Sequence, residues 1–197
     1  MTAHQATMVR RAQIAEAAGK LIVKRGSENL TIKGIATEVG ISEAAIYRHF
    51  RSKKDVLMLL ADYVGETLVS DIDDAAFAET NSITALETAL NKHLSAIERR
   101  RGTSFQVVSE IISMGDRELN ERVCEALEKY ITKLERILSQ ALEQGVLREN
   151  LDIGSTARII SAIIQGLVNT WVLSNYSVNL KAEFIGMWRV LSKGIVR

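Results

Sequence analysis

Residues 31–54, TIKGIATEVGISEAAIYRHFRSKK, decide the fold. Thr31 is placed to cap a first helix, because its hydroxyl can accept from an amide that the first turn leaves unpaired. Ile32, Ile35, Ala36 and Val39 recur at helical spacing and give that helix an apolar stripe. Gly40 stands where the helix has to stop and the chain reverse, a position suited to positive φ. Ile41 is expected to plug into the core, and Ser42 to cap a second helix running to about Phe50. Helix, glycine turn, apolar plug and helix make a helix-turn-helix, a motif that sets its second helix in the DNA major groove.

On the second helix Ala45, Ile46 and Phe50 fall on an inner or flanking face, and Glu43, Ala44, Tyr47 and Arg48 on the other. Ala44 and Ala45 are small enough to let a helix backbone approach base edges. Tyr47 and His49 can donate to phosphates or stack on sugars. Arg51, Lys53 and Lys54 follow directly, the dense positive charge that phosphate contacts need. The charge is distributed accordingly. Residues 1–54 hold ten Lys or Arg against four acids, a net +6, and the remainder hold 15 against 20, a net −5. A basic head on an acidic body suits a nucleic-acid-binding module tethered to a part that does not bind.

Residues 10–60 resemble the DNA-binding domain of the TetR family of bacterial repressors. The likeness rests on Arg11, Ile14, Ala17, Ala18, Leu21 and Gly26, then on Leu30, Thr31, Ile35, Ala36, Val39 and Gly40. It continues through Ile46, Tyr47, His49, Phe50, Lys53, Leu57 and Leu60, including a Tyr-x-His-Phe run at 47–50. It is dense over the first third of the chain; the rest is similar in length and helical character only. The resemblance implies that Thr31 and Lys33 approach DNA and that Ser42, Glu43, Ala44, Ala45 and Arg48 face the groove. Tyr47, His49 and Lys53 would hold phosphates, and Arg10 and Arg11 would reach the backbone or the adjacent minor groove. Glu43 and Ala44 depart from some relatives; a carboxylate turned to DNA selects cytosine but repels phosphate.

A chain of 197 residues can bury a substantial core. It has no proline, which permits long unbroken helices, and its apolar fraction of 47% contains few aromatics. No run of residues approaches a continuous membrane-spanning length, and the opening MTAHQATMVRRAQ lacks an apolar signal core. Cys124, the single cysteine, has no partner within the chain. These features lead us to expect a cytoplasmic protein without membrane contact.

Helical periodicity predicts an all-α fold of about nine helices. The N-terminal three-helix, helix-turn-helix DNA-binding domain spans 1–52, and a C-terminal helical ligand-binding and dimerisation domain spans 53–197. Residues 1–6 are expected to be disordered, and 74–81 to form a weak linker. Helices are expected over residues 6–25, 53–74, 82–100, 103–114, 116–144, 152–172 and 179–195, besides the two of the motif. The Arg99-Arg100-Arg101 run is expected to be a solvated helix end whose cations complement the dipole. Cys124 is expected to be packed or half-buried.

The helix at 152–172 is apolar on more than one stripe and has to bury itself on two sides. A second copy of the same two C-terminal helices is the natural partner for a symmetric DNA-binding protein. Ile160, Ile164, Leu167, Trp171, Phe184, Trp188 and Leu191 are the candidate homodimer contacts. A mostly apolar pocket for a small hydrophobic or amphipathic effector is expected in the body, lined by Tyr63, His93, Ile97, Phe105, Val108, Ile112, Tyr130, Leu134, Trp171 and Asn175. The three histidines have no Glu-x-x-His or His-x-x-x-His spacing, and no phosphate loop or nucleophile elbow occurs. The chain therefore reads as a non-enzyme without cofactor or metal. The reading is a ligand-responsive homodimeric repressor bound to double-stranded DNA at a palindromic operator. The alternative is an architectural or cell-division-linked DNA-binding protein of the same fold that needs no effector.

Overall fold

In the computed structural model, residues 3–74 and 83–197 are described, with side chains for 5–72 and 86–197. Among them the chain forms α1 (Ala3–Arg25), α2 (Ile32–Val39), α3 (Glu43–Tyr47), α4 (Lys53–Asp74), α5 (Ile83–Arg99), α6 (Thr103–Ser113), α7 (Arg117–Glu143), α8 (Ile153–Leu173) and α9 (Leu180–Ile195). The fold is all-α, as predicted; the described residues add only an isolated antiparallel bridge between Leu147 and Val196. Helix α1 begins three residues before the expected start, so residues 3–6 are helical. The expected linker over 75–81, the start at Ser82 and the Ile83 side chain lie outside the described residues.

Caps set the boundaries. Thr31 Oγ1 accepts from the Gly34 amide at 3.0 Å, and Ser42 Oγ from Ala45 at 3.2 Å. Asp152 accepts from Ser155 at 2.9 Å and Asn179 from Ala182 at 3.0 Å. At the head of α4 the Asp55 amide donates to Ser52 Oγ, and its carboxylate accepts from the Arg51 amide at 2.7 Å and from the Ser52 hydroxyl at 3.0 Å. These bonds, the Arg51 amide first among them, hold the Asp55 carboxyl below its ordinary pKa. Gly40 ends α2 at φ +75, where its amide bonds back to the helix. Two details differ from expectation. Ile41 is half-buried rather than a full plug, and α3 closes at Tyr47, three residues before Phe50.

The helices gather into two compact units: Met1–Thr67 with Gln106–Ala126, and Leu68–Phe105 with Leu127–Arg197. In the first, α1 packs on α2 and α2 on α3 around Ile14, Ile35, Ile46 and Leu57. Residues 106–126 belong to this unit through specific ties. The Ser27 amide donates to Glu110 Oε2 at 2.9 Å. Lys54 Nζ pairs with Asp116 at 2.9 Å and Glu118 at 2.7 Å, and Arg122 pairs with Asp62 at 3.1 Å. At Gly65, on α4, α7 comes so close that an added Cβ would lie 2.7 Å from the Ala126 Cβ and 3.1 Å from its Cα.

In the second unit α9 packs on α8 and α5. Its core includes Leu90, Leu94, Phe105, Leu134 and Ile164. The arginine run is a structural feature here, which corrects the expectation of a solvated helix end. Arg99 is exposed, but Arg100 pairs with the buried Asp71 of α4. The Arg101 guanidinium lies 3.9 Å from the ring centroid of Tyr176, which in turn meets Trp171 edge-on at 4.7 Å. Arg101 and Tyr176 both take positive φ, as does Asn175. The last helix is tied back by Arg148, whose guanidinium donates to the Val196 and Lys193 carbonyls, both at 2.9 Å.

Two further expectations are corrected. Cys124 is exposed, because it falls on the outer side of α7 opposite the Leu119–Val123–Ala126 stripe. Helix α8, at 21 residues and a mean hydropathy of 1.3, is long and apolar enough to cross a membrane by those two criteria. Polar residues such as Arg158, Gln165 and Asn169 interrupt it, so no continuous apolar run of that length occurs. Its inner side, Ile160, Ile164, Leu167, Val168 and Trp171, is buried in the protein's own core.

Candidate nucleic-acid interface

The helix-turn-helix presents a continuous outward face. Thr31, Lys33, Ser42, Glu43, Ala44, Tyr47, Arg48 and His49 are all exposed, and Ala45 is half-buried. Tyr47 is 54% exposed, unusual for a tyrosine packed in a small domain, so its ring is free to meet a partner. The inner residues Ile46 and Phe50 anchor this face to the core. The Thr31 and Ser42 hydroxyls each accept an amide as a cap, while their remaining hydrogen-bonding capacity faces outward.

The basic residues divide into exposed and engaged groups. The Arg11 guanidinium lies 5.0 Å from the ring centroid of Phe50, a cation–π contact that holds it over the head's own core. Arg10 is half-buried. Lys53 Nζ donates to the Ser27 carbonyl at 3.0 Å, and Lys54 is claimed by Asp116 and Glu118. Glu118 and then Asp116 raise the Lys54 pKa, and Lys54 in turn lowers that of Asp116. Lys54 therefore serves the head's own architecture, not the free phosphate-binding cluster the sequence suggested. Nothing local in the sequence announces these ties, since the partners lie 26 to 64 residues away.

The expected pocket residues do not form one set. Tyr63, Val108 and Ile112 belong to the first unit, where Val108 is buried, Tyr63 half-buried and Ile112 52% exposed. Ile112 is thus turned outward on α6, against expectation. In the second unit His93, Ile97, Phe105, Tyr130, Leu134 and Trp171 are buried, whereas Asn175 is exposed in the α8–α9 turn at φ +51. His93 and Tyr130 are brought together across α5 and α7, with His93 Nε2 2.9 Å from the Tyr130 hydroxyl. Burial without a charge partner pushes His93 down to about 4 and pushes the Tyr130 phenol up.

The expected dimer contacts sit mostly in the chain's own core. Ile160, Ile164, Leu167, Trp171, Phe184 and Trp188 are buried within the single chain, and Leu191 is half-buried. Side chains already removed from water have almost no area left to offer a second copy. The outward apolar positions of the same helices are Ile159, Leu173, Ile185, Met187 and Val190, between 37% and 84% exposed. Along α8 and α9 runs a groove of about 420 Å³ lined by Gly166, Leu167, Thr170, Val178, Leu180, Glu183 and Met187.

Two family models match the chain. One is described as bacterial regulatory proteins, tetR family, over residues 14–58; the other as YsiA-like protein, C-terminal region, over residues 63–194. Nucleoid occlusion factor SlmA of Marinomonas sp. (strain MWYL1) is 27% identical over 188 residues, 95% of each chain. The fatty acid metabolism regulator protein of Bacillus subtilis (strain 168) is 27% identical over 187 residues, 93% of this chain and 94% of its own length. The crystal structure of the transcriptional regulator FadR from Bacillus subtilis, in complex with stearoyl-CoA, has a TM-score of 0.77 at 24% identity, covering 93% of this chain and 98% of that one. With an outward-facing helix-turn-helix matched by the first model and the helical body by the second, the chain belongs to the TetR family and is a DNA-binding transcriptional regulator.

Proposed function

We propose that the protein is a homodimeric repressor that binds a palindromic operator through α2 and α3 and is released by an amphipathic effector held in its body. The exposed face of Thr31, Lys33, Ser42, Glu43, Ala44, Tyr47, Arg48 and His49 carries the DNA side of this reading. Small Ala44 allows close approach, and Tyr47, Arg48 and His49 supply phosphate and base donors. The functional division runs at 52/53, with the DNA-binding head before it and the body after it. The protein acts on DNA in the cytoplasm.

The homodimer is supported by the outward apolar residues of α8 and α9, since exposed apolar surface of this kind marks interfaces. Two copies joined there present two heads to two half-sites. The effector class, a long-chain acyl thioester, is supported by full-length similarity to a fatty acid metabolism regulator and by the stearoyl-CoA bound to its structural counterpart. The effector has to bind the free form more tightly than the DNA-bound form for release to follow.

The test is binding of the purified protein to its own upstream DNA and to scrambled DNA at physiological salt, with and without a long-chain acyl-CoA. A preference of about a thousandfold, a palindromic footprint and release on adding the thioester are expected. Equal binding to both DNAs would overturn the repressor reading. A second reading, DNA binding without a small effector, is favoured by the likeness to the nucleoid occlusion factor. Tight, selective binding untouched by any acyl thioester would decide for it.

A further inference from the structure

Within the second unit one polar atom is unaccounted for. His93 is 0% exposed, and its Nδ1 has no hydrogen-bond partner, although Nε2 meets the Tyr130 hydroxyl. A buried, unpaired imidazole nitrogen is costly, and native cores rarely keep one without use. Two tautomers are available to the neutral ring. If Nε2 carried the proton and donated to Tyr130, both the phenol O–H and the Nδ1 lone pair would lack partners. If Tyr130 donates to Nε2, the phenol proton is satisfied and a single donor, Nδ1–H, is left over. The second arrangement leaves fewer buried groups unpaired. The surrounding α5 face is apolar: Leu86, Leu90 and Ile97 lie on it, with methyl-only Ala89 and Ala96 flanking His93 on one side, and all are buried.

We infer that His93 Nδ1–H, fixed as a donor by Tyr130, is the hydrogen-bonding point for an acceptor oxygen on an otherwise apolar effector, specifically the carbonyl of an acyl thioester. The inference rests on the effector reading above and adds which atom of the ligand is recognised. An apolar face with one fixed donor accepts a chain that carries a carbonyl and penalises the same chain without it. Loss of the carbonyl leaves Nδ1–H buried and unpaired again.

The experiment compares hexadecanoyl-CoA with S-hexadecyl-CoA, which replaces the carbonyl by methylene, in direct binding to the full-length protein. The expected result is about tenfold or greater preference for the thioester, abolished in His93→Phe by loss of thioester affinity alone. Equal affinity of the wild-type protein for both probes overturns the inference while leaving the effector reading intact. Failure of both probes to bind overturns the two together. Because His93→Phe can disturb the core, nitrogen-15 NMR of the wild-type imidazole provides an independent check. Protonation at Nδ1 with a shift on adding the thioester is expected, and an Nε2–H tautomer overturns the assignment.

Discussion

Asp71, near the end of α4, is only 6% exposed and takes its charge partner from Arg100, twenty-nine residues further along the chain. Removing one member of such a pair strands the other in a poorly solvated site. Arg100→Met should lower unfolding free energy by about 2 kcal/mol, below the range of about 3–5 kcal/mol for fully buried pairs because the Arg100 side chain is 37% exposed. Asp71→Leu combined with Arg100→Met should recover most of the loss. Denaturant unfolding of both single variants and the double measures the coupling; a double variant no more stable than the singles would remove the pair's role.

The depressed pKa of His93 predicts an acid-sensitive fold. The unfolded chain takes up a proton at this residue near the ordinary value of 6.5, while the native protein resists until about 4. Between these values the unfolded state binds more protons, so stability falls as pH drops through that window and is fully kept above it. The loss by pH 4 amounts to about 3 kcal/mol from this residue. Thermal unfolding scanned from pH 7 to pH 4 should show the decline, and His93→Phe should flatten it.

Gly65→Ala sets two effects against each other. Alanine favours a helix interior by about 1 kcal/mol over glycine. The new Cβ, however, would meet the Ala126 Cβ at 2.7 Å and its Cα at 3.1 Å, and backbone atoms do not step aside. Overpacking of this sort costs about 1–3 kcal/mol, so the variant should be less stable by about 1 kcal/mol net. A rise in melting temperature would mean α4 and α7 can separate without penalty.

Leu173 and Val190 are 84% and 76% exposed, while Trp188 is 4% exposed. Leu173→Glu with Val190→Glu should therefore halve the mass seen by analytical ultracentrifugation and leave the helical content unchanged. Trp188→Ala should instead destabilise the protomer by about 3–5 kcal/mol. A dimer that survives both glutamates would place the interface elsewhere.

On the DNA side, Tyr47→Ala and Arg48→Ala each change an exposed side chain, so melting temperature should stay within about 1 °C of the parent. Operator affinity should drop about tenfold for each. A phosphate-contacting role for Tyr47 would show as equal weakening on specific and scrambled DNA; undiminished affinity would take that residue off the interface.

Local chemistry was readable in the sequence. Thr31, Ser42, Asp152 and Asn179 cap the helices they precede, because a cap depends on a residue and the amide three positions on. What periodicity does not carry is which of two apolar stripes a helix turns inward. On α8 the apolar positions 159, 160, 163, 164, 167, 168, 171 and 172 form one broad face in the sequence, of which Ile160, Ile164, Leu167, Val168 and Trp171 are buried and Ile159 is exposed. The burial of His93, the capture of Lys54 by Asp116 and Glu118, and the stacking of Arg101 on Tyr176 all join residues far apart in the chain. Their neighbours in sequence give no sign of them.

The ties from Ser27 to Glu110, from Lys54 to Asp116 and Glu118, and from Gly65 to Ala126 bear on how this regulator can be recombined. A chimera that grafts only the first 52 residues onto a foreign body leaves behind Glu110, which holds the Ser27 amide, and one extended through Gly65 also leaves behind Asp116, Glu118 and Ala126. A portable DNA reader cut from this chain has to carry the 106–126 stretch as well, or have complementary residues rebuilt in the recipient.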